Sequence, residues 1–206
     1  MKQLKKLILE IKKYLSMKIN VFYEGIKGVD FIRTDVAYST VTNKVYQQYG
    51  RSSMIITKML LRYLSKEKDV SFIDIGCGKG YVLYKISKLN LIKIAGLELD
   101  MNLISIAHNN LQKMKINDVE IYHSDATAFD KYSEFNYFYF YYPFSIEIFD
   151  IVVKSIVNTL VHNKRKIKII YVASSSDYIK DVMEREGFTL EKVIHYYTQY
   201  LIIYER

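Results

Sequence analysis

Phe72-Ile73-Asp74-Ile75-Gly76-Cys77-Gly78-Lys79-Gly80 reads as a buried strand that runs into a glycine-rich turn and then a helix. Glycines at alternate positions let the backbone come close to a ligand and take dihedrals that a Cβ penalises. The turn also points the unpaired N–H groups of the next helix toward the crevice beyond the strand's end. The spacing of Gly76, Gly78 and Gly80 is not the G-x-G-x-x-G of the dinucleotide fingerprint, because Lys79 and Tyr81 interrupt it. No Ser or Thr follows Lys79, so a P-loop does not fit and this lysine is expected to face solvent. Cys77 lies near a helix N-terminus, a place that can lower a thiol pKa, yet without a nearby base it reads as a small packing residue.

Outward from this turn, strands and helices alternate. Ile92-Lys93-Ile94-Ala95-Gly96-Leu97-Glu98 is a second apolar strand, and its closing carboxylate stands 18 residues beyond Gly80. That is near the roughly 20-residue offset at which an acidic side chain reaches ribose hydroxyls in nucleotide-binding α/β folds. Asp100, just beyond, is placed to cap the helix that starts at Met101. A third strand, Val119 to His123, leads into Ser124-Asp125-Ala126, with Asp130 as an alternative carboxylate nearby. A fourth, Phe135 to Tyr142, carries large apolar residues on both faces, as a central parallel strand should, and stops at Pro143-Phe144. The fifth runs from Ile167 to Ala173. Helices are expected near 52–64, 80–89, 101–114, 145–161 and 177–186, the last closed by Gly187. Leu190 to Tyr196 and Thr198 to Tyr204 have almost nothing between them and must form a hairpin. The alternation demands a parallel sheet with right-handed crossovers, to which the hairpin adds one antiparallel strand. The fold class is therefore α/β, a Rossmann-like, mostly parallel sheet of seven strands.

The run Asp74-x-Gly76-x-Gly78-x-Gly80 resembles motif I of class I S-adenosylmethionine-dependent methyltransferases, and the resemblance extends from about residue 70 to 206. It implies the seven-stranded plan, S-adenosylmethionine as cofactor, and methyl transfer by direct displacement to an acceptor that the sequence does not name. It further implies that Asp74, Gly76, Cys77, Gly78 and Gly80 cradle the methionine part and that Glu98 accepts from the ribose. Asp125 would take the adenine amino group, and Leu99, Ala126 and Tyr141 would complete the cofactor contacts. Tyr142, Pro143 and Phe144 would form the wall beside the methyl group. Within the family the likeness is to small bacterial enzymes whose fourth strand ends in Tyr-Asn-Pro-Phe, here Tyr141-Tyr142-Pro143-Phe144. The Asn of that pattern accepts from the target nitrogen in amine-modifying relatives, and Tyr142 replaces it.

Composition bounds the rest. The chain has 206 residues, half of them apolar, which is enough for one domain with a real core. The division expected is an N-terminal helical extension and lid over 1–65 and a methyltransferase domain over 66–206. A single cysteine fits a reducing cytoplasm, and neither a signal peptide nor a membrane span fits the charge-interrupted N-terminus. Leu4, Leu7, Ile8, Ile11 and Leu15 recur at helical spacing with lysines between them, so residues 2–16 read as a basic amphipathic helix. Three roles stay open for it: docking on its own domain, pairing with a second subunit, or lying on an anionic membrane. Residues 20–50 read as an irregular segment covering the crevice, and Lys66 to Asp69 as a solvated turn. The net charge of +8 leaves nucleic acid or another anionic surface open as a partner, although lysine rather than arginine carries most of it. No His or Cys spacing suggests a metal. Two rivals to a general methyltransferase remain: a nucleic-acid N-methyltransferase, and a cofactor-binding protein without turnover.

Overall fold

The computed structural model describes residues 18, 22, 24–32 and 51–206. The amphipathic helix expected over 2–16, and most of the segment 20–50, lie outside the described residues. Residues 24–27 are helical, and 28–32 follow as turn and bend.

Helix α1 spans Met54–Leu64, opened by Ser53, whose Oγ accepts from Ile56 N at 3.3 Å. Its fully buried Ile56, Leu60 and Leu64 lie at helical spacing and pack into the domain core. Then follow β1 (Ser71–Ile75), α2 (Tyr81–Ile86), β2 (Lys93–Glu98), α3 (Met101–Lys113), β3 (Glu120–His123), β4 (Tyr137–Tyr141), α4 (Ile146–Asn158), β5 (Lys168–Ala173), α5 (Lys180–Arg185), β6 (Thr189–Tyr196) and β7 (Gln199–Glu205). Several elements are shorter than the sequence suggests, for local reasons. Gly80 stands at φ +77 and so precedes α2 instead of joining it, and Tyr142, at φ +47, ends β4 one residue early. Gly187, at φ +74, follows α5 and lets the chain reverse, with Phe188 N donating to Met183 O at 2.9 Å.

The seven strands lie in the order β3-β2-β1-β4-β5-β7-β6. All neighbours from β3 to β5 are parallel, and β7 alone runs against the others, paired with β5 and β6. One core lies between the sheet and α1 to α3, including Phe72, Tyr139 and Ile170. The other lies under α4 and α5, including Ile73, Phe138, Phe149 and Met183. β1, β2, β4 and β5 are thus covered on both faces, which is why their sequences are near-continuous apolar runs, while β3 at the edge is only partly covered.

The turn before β1 corrects one expectation. Lys66, Lys68 and Asp69 are exposed, but Glu67 is half-buried: it accepts from Tyr137 Oη at 2.6 Å and pairs with Lys168 at 3.0 Å. Glu191 joins the same cluster because a bulge between Leu190 and Lys192 takes it out of the β6 ladder. Its carboxylate accepts from Tyr63 Oη at 2.8 Å and pairs with Lys168 at 2.9 Å.

Candidate active site

In an open α/β sheet a ligand binds beyond the C-terminal ends of the strands, where the strand order reverses direction. Here that point lies between β1 and β4, and the loops that follow these two strands touch. A Cβ placed on Gly76, at φ +81, would stand 2.9 Å from Pro143 Cβ, so only glycine lets the loops meet. Gly76 N and Cys77 N both donate to Leu97 O, at 2.8 and 3.0 Å, which ties the turn to the end of β2. Gly78, at φ +52, donates to Glu98 Oε2 at 2.9 Å. The three turn glycines all take positive φ, as their spacing predicts.

Glu98 closes β2 facing this turn. Its other oxygen accepts from Leu99 N at 2.8 Å and Asp100 N at 3.0 Å. Burial raises its pKa, and these backbone donors together with Gly78 oppose the rise. Asp100 has the separate task expected of it, accepting from Asn102 N at 2.7 Å as the N-cap of α3. Asp74 differs from both. It is 3% exposed, in register with Gly96 on one side and Tyr139 on the other. Among the described residues no donor bonds its carboxyl; burial, and then the charge of Glu98, push its pKa up to about 8. A half-buried acid and a buried one therefore meet at this edge of the sheet, Glu98 held by backbone N–H groups and Asp74 by no donor among the described residues. The chemistry these carboxyl acceptors fit is a ligand with positive charge and hydroxyl groups.

The remaining expected residues fall around this pair. Cys77 is buried with its Sγ where a Gly96 side chain would be, 2.6 Å from the position of such a Cβ, and burial raises its thiol pKa well above the usual value. It is a packing residue with no thiolate character. Asp125 sits in the loop after β3 with Oδ1 accepting from Thr127 N and Thr127 Oγ1, both at 2.8 Å. Ala126 O accepts from Tyr132 Oη at 2.7 Å, while Asp130 is exposed. Tyr141 lies on the α1 to α3 side and accepts from Gln199 Nε2 at 2.8 Å. Tyr142 turns to the other face: its ring packs on Tyr171 and Tyr178, and its hydroxyl meets Ser174 Oγ and accepts from Ser174 N, both at 2.5 Å. Phe144 is buried edge-on against Phe140.

Lys79 overturns its expectation. Instead of facing solvent its side chain is 0% exposed and pairs with Asp30 Oδ2 at 2.8 Å. The partner comes from 49 residues upstream, so nothing local to the turn announces it. One signal was present in α3: Asn110 sits between Ala107 and Leu111 on the buried stripe, and its amide bonds Lys79 O at 3.1 Å and Asp30 O at 2.8 Å. Among the described residues no group of His, Cys, Asp and Glu has the geometry of a metal site.

A doubly wound sheet with a glycine turn and two acids at its switch point is an arrangement that fits a nucleotide-type cofactor. The family comparison makes that narrower: residues 66–187 match the methyltransferase domain family, and the chain belongs to it. That family uses S-adenosylmethionine. A ribosomal protein L11 methyltransferase from Caldanaerobacter subterraneus is 30% identical over 79 residues, a match covering 37% of this chain and 26%, about a quarter, of that relative. The fold matches that of a ribosomal protein L11 methylase from Lactobacillus delbrueckii, with a TM-score of 0.62 at 14% identity over 76% of this chain and 79% of the other. It also matches a magnesium protoporphyrin IX methyltransferase from Synechocystis, solved with bound S-adenosylmethionine, with a TM-score of 0.60 at 10% identity over 74% and 78% of the two chains. Among the described residues no helix is long and apolar enough to cross a membrane.

Proposed function

We propose that the protein transfers a methyl group from S-adenosylmethionine to an acceptor presented at the crevice between the β1 and β4 loops. The observation that carries this reading is Asp74, a buried carboxyl without a hydrogen-bond donor among the described residues, beside the half-buried acid Glu98. Keeping such a group costs stability unless a ligand compensates it. Bound S-adenosylmethionine supplies an electrophilic methyl carbon and positive charge. Glu98 then accepts from the ribose hydroxyls while Gly78, Leu99 and Asp100 N–H groups hold its carboxylate in place. Asp74 faces the positive charge of the methionine part, and Gly76, Cys77, Gly78 and Gly80 bring backbone up to it. Asp125, Ala126, Leu99 and Tyr141 complete the cofactor side.

Tyr142, Pro143 and Phe144 wall the acceptor side. Because the Tyr142 hydroxyl is already bonded to Ser174, its ring shapes the cavity and its oxygen is not the group that orients the acceptor. The site then works chiefly by positioning, which can supply roughly 7 to 11 kcal/mol in well-oriented cases. The two relatives named for ribosomal protein L11 make a protein acceptor the first class to test, and the charge of +8 makes nucleic acid the second. The test is transfer of label from methyl-labelled S-adenosylmethionine into total cell extract, followed by protease or nuclease treatment. Label released by protease supports a protein acceptor, and label released by nuclease supports RNA or DNA. Tight binding of S-adenosylhomocysteine with no labelled product from any extract would leave a cofactor-binding protein without turnover.

A further inference from the structure

Among the side chains of the glycine turn, two lock it in place. Cys77 packs against Gly96 and so fastens the turn to the sheet. Lys79 points the other way and is fully buried against a segment remote in sequence. Burying an ammonium is unfavourable unless it is paired and bonded, so its placement needs a compensating structure. That structure is residues 24–32. Asp30 supplies the carboxylate, and the Asn110 side chain holds the same residue by its backbone, accepting from Asp30 N at 2.8 Å and donating to Asp30 O at 2.8 Å. The same amide donates to Lys79 O at 3.1 Å, so one α3 side chain brackets both the segment and the turn.

The segment has further anchors that lead back to the helix launched by the turn. Phe31 stacks on Tyr84 and meets Tyr81 edge-on, both at 5.6 Å between ring centroids. Glu24 accepts from Phe31 N and Ile32 N, each at 3.1 Å, and pairs with Arg51 at 3.6 Å. Arg51 in turn lies 4.5 Å over the Tyr81 ring. The flanking glycines, Gly78 and Gly80, both stand at positive φ and have no side chains with which to hold their own conformation.

We propose that Lys79 is a positioning residue: the ion pair of its buried ammonium with the half-buried Asp30, bracketed by Asn110, clamps the cofactor turn to residues 24–32, so that cofactor binding and docking of this segment are coupled. The inference rests on the assignment of the turn to the cofactor. A turn already held in its binding conformation loses less freedom when the ligand arrives. Coupling is reciprocal, so a bound cofactor must hold the segment more tightly as well.

The test uses the full chain, with peptide-resolved hydrogen exchange and titration calorimetry against S-adenosylhomocysteine. Lys79→Met keeps an unbranched apolar stem while removing the charge, and Asp30→Asn breaks the pair from the other side should the first variant fold poorly. In the ligand-free variants the amides of both 24–32 and 76–80 should exchange at least about fivefold faster than in the wild type. S-adenosylhomocysteine should slow exchange at 24–32 in the wild type and not in Lys79→Met, whose affinity should fall about tenfold. Lys79→Arg, which keeps the charge, should recover part of both effects, which a loss of packing alone would not explain. Affinity in Lys79→Met within twofold of wild type, or unchanged exchange at 76–80 in the ligand-free variants, overturns the clamp. A wild type that does not bind S-adenosylhomocysteine sinks the cofactor assignment and the coupling to it, and the ligand-free arm still decides whether Lys79 holds the turn.

Discussion

The two ends of the sheet carry two clusters of charge, each at least partly withdrawn from solvent, built on opposite plans. At the N-terminal end of the parallel strands, Lys168 sits between Glu67 and Glu191, with Tyr63 and Tyr137 donating to the two carboxylates. Burial alone would lower the Lys168 pKa, but its bonds to Glu191 and Glu67 raise it; burial would raise that of Glu67, and the bonds from Tyr137 and Lys168 lower it. Both ions are thus kept charged by their neighbours. At the C-terminal end, Asp74 and Glu98 have no cation within their own pair, and both carboxyls titrate high. A cluster that satisfies itself contributes stability and leaves nothing for a ligand. One left unsatisfied reduces stability and is set up to be completed from outside.

The sharpest way to break this contrast is Lys168→Met. It strands Glu67 and Glu191 without their cation, and should lower stability by about 3 kcal/mol, while leaving the affinity for S-adenosylhomocysteine unchanged. Denaturant unfolding and calorimetry read the two numbers. A loss of affinity in the folded variant would mean that the two ends are not independent.

Glu98→Ala should weaken cofactor binding by about 1.5 to 3 kcal/mol, because a charge-assisted contact to the ribose is lost. Asp100→Ala should instead remove about 1 kcal/mol of stability as a lost N-cap and leave affinity nearly intact. The reverse ranking, with both variants folded, would move the ribose contact to Asp100.

Asp74→Asn should raise Kd about tenfold, or 1.4 kcal/mol, while stabilising the ligand-free protein at neutral pH. The sign follows from its raised pKa. Folded Asp74 holds its proton up to about pH 8, whereas the unfolded carboxyl releases it near the ordinary value of 3.8, so stability from this group is full at low pH and falls as pH rises toward 8. Glu67 has the opposite sign: its depressed pKa gives stability that is present at neutral pH and lost as acid protonates it. Cofactor affinity should therefore strengthen as pH climbs to about 8 and then level off, with proton release on binding at pH 7. A flat profile in the wild type, or one unchanged in Asp74→Asn, would take Asp74 out of the site.

The smallest effect is expected at Tyr142, whose hydroxyl is bonded to Ser174. Tyr142→Phe should change turnover less than twofold and stability by about 1 kcal/mol, while Tyr142→Ala, which removes the ring from Tyr171 and Tyr178, should impair turnover. A large fall in kcat for the Phe variant with unchanged cofactor affinity would restore the hydroxyl to a role in orienting the acceptor.

The features written locally in the chain are those the sequence determined by itself. The alternation of strands and helices, the three positive-φ glycines, the caps at Asp100 and Gly187 and the closing hairpin depend on neighbours a few residues apart, and they stand where the sequence puts them. The carboxylates Asp74 and Glu98 are likewise legible as strand ends that meet at one edge, since parallel strands bring their C-terminal ends together. What each charge does there is settled by partners far along the chain. Lys79 and Glu67 looked like solvated charges until the fold brought Asp30 to one and Lys168 to the other, and the bond of the Tyr142 hydroxyl to Ser174, 32 residues along the chain, is likewise set only by the fold. Residue type and spacing fix where a charge stands, but its compensation depends on distance and burial, which only the packed tertiary structure supplies.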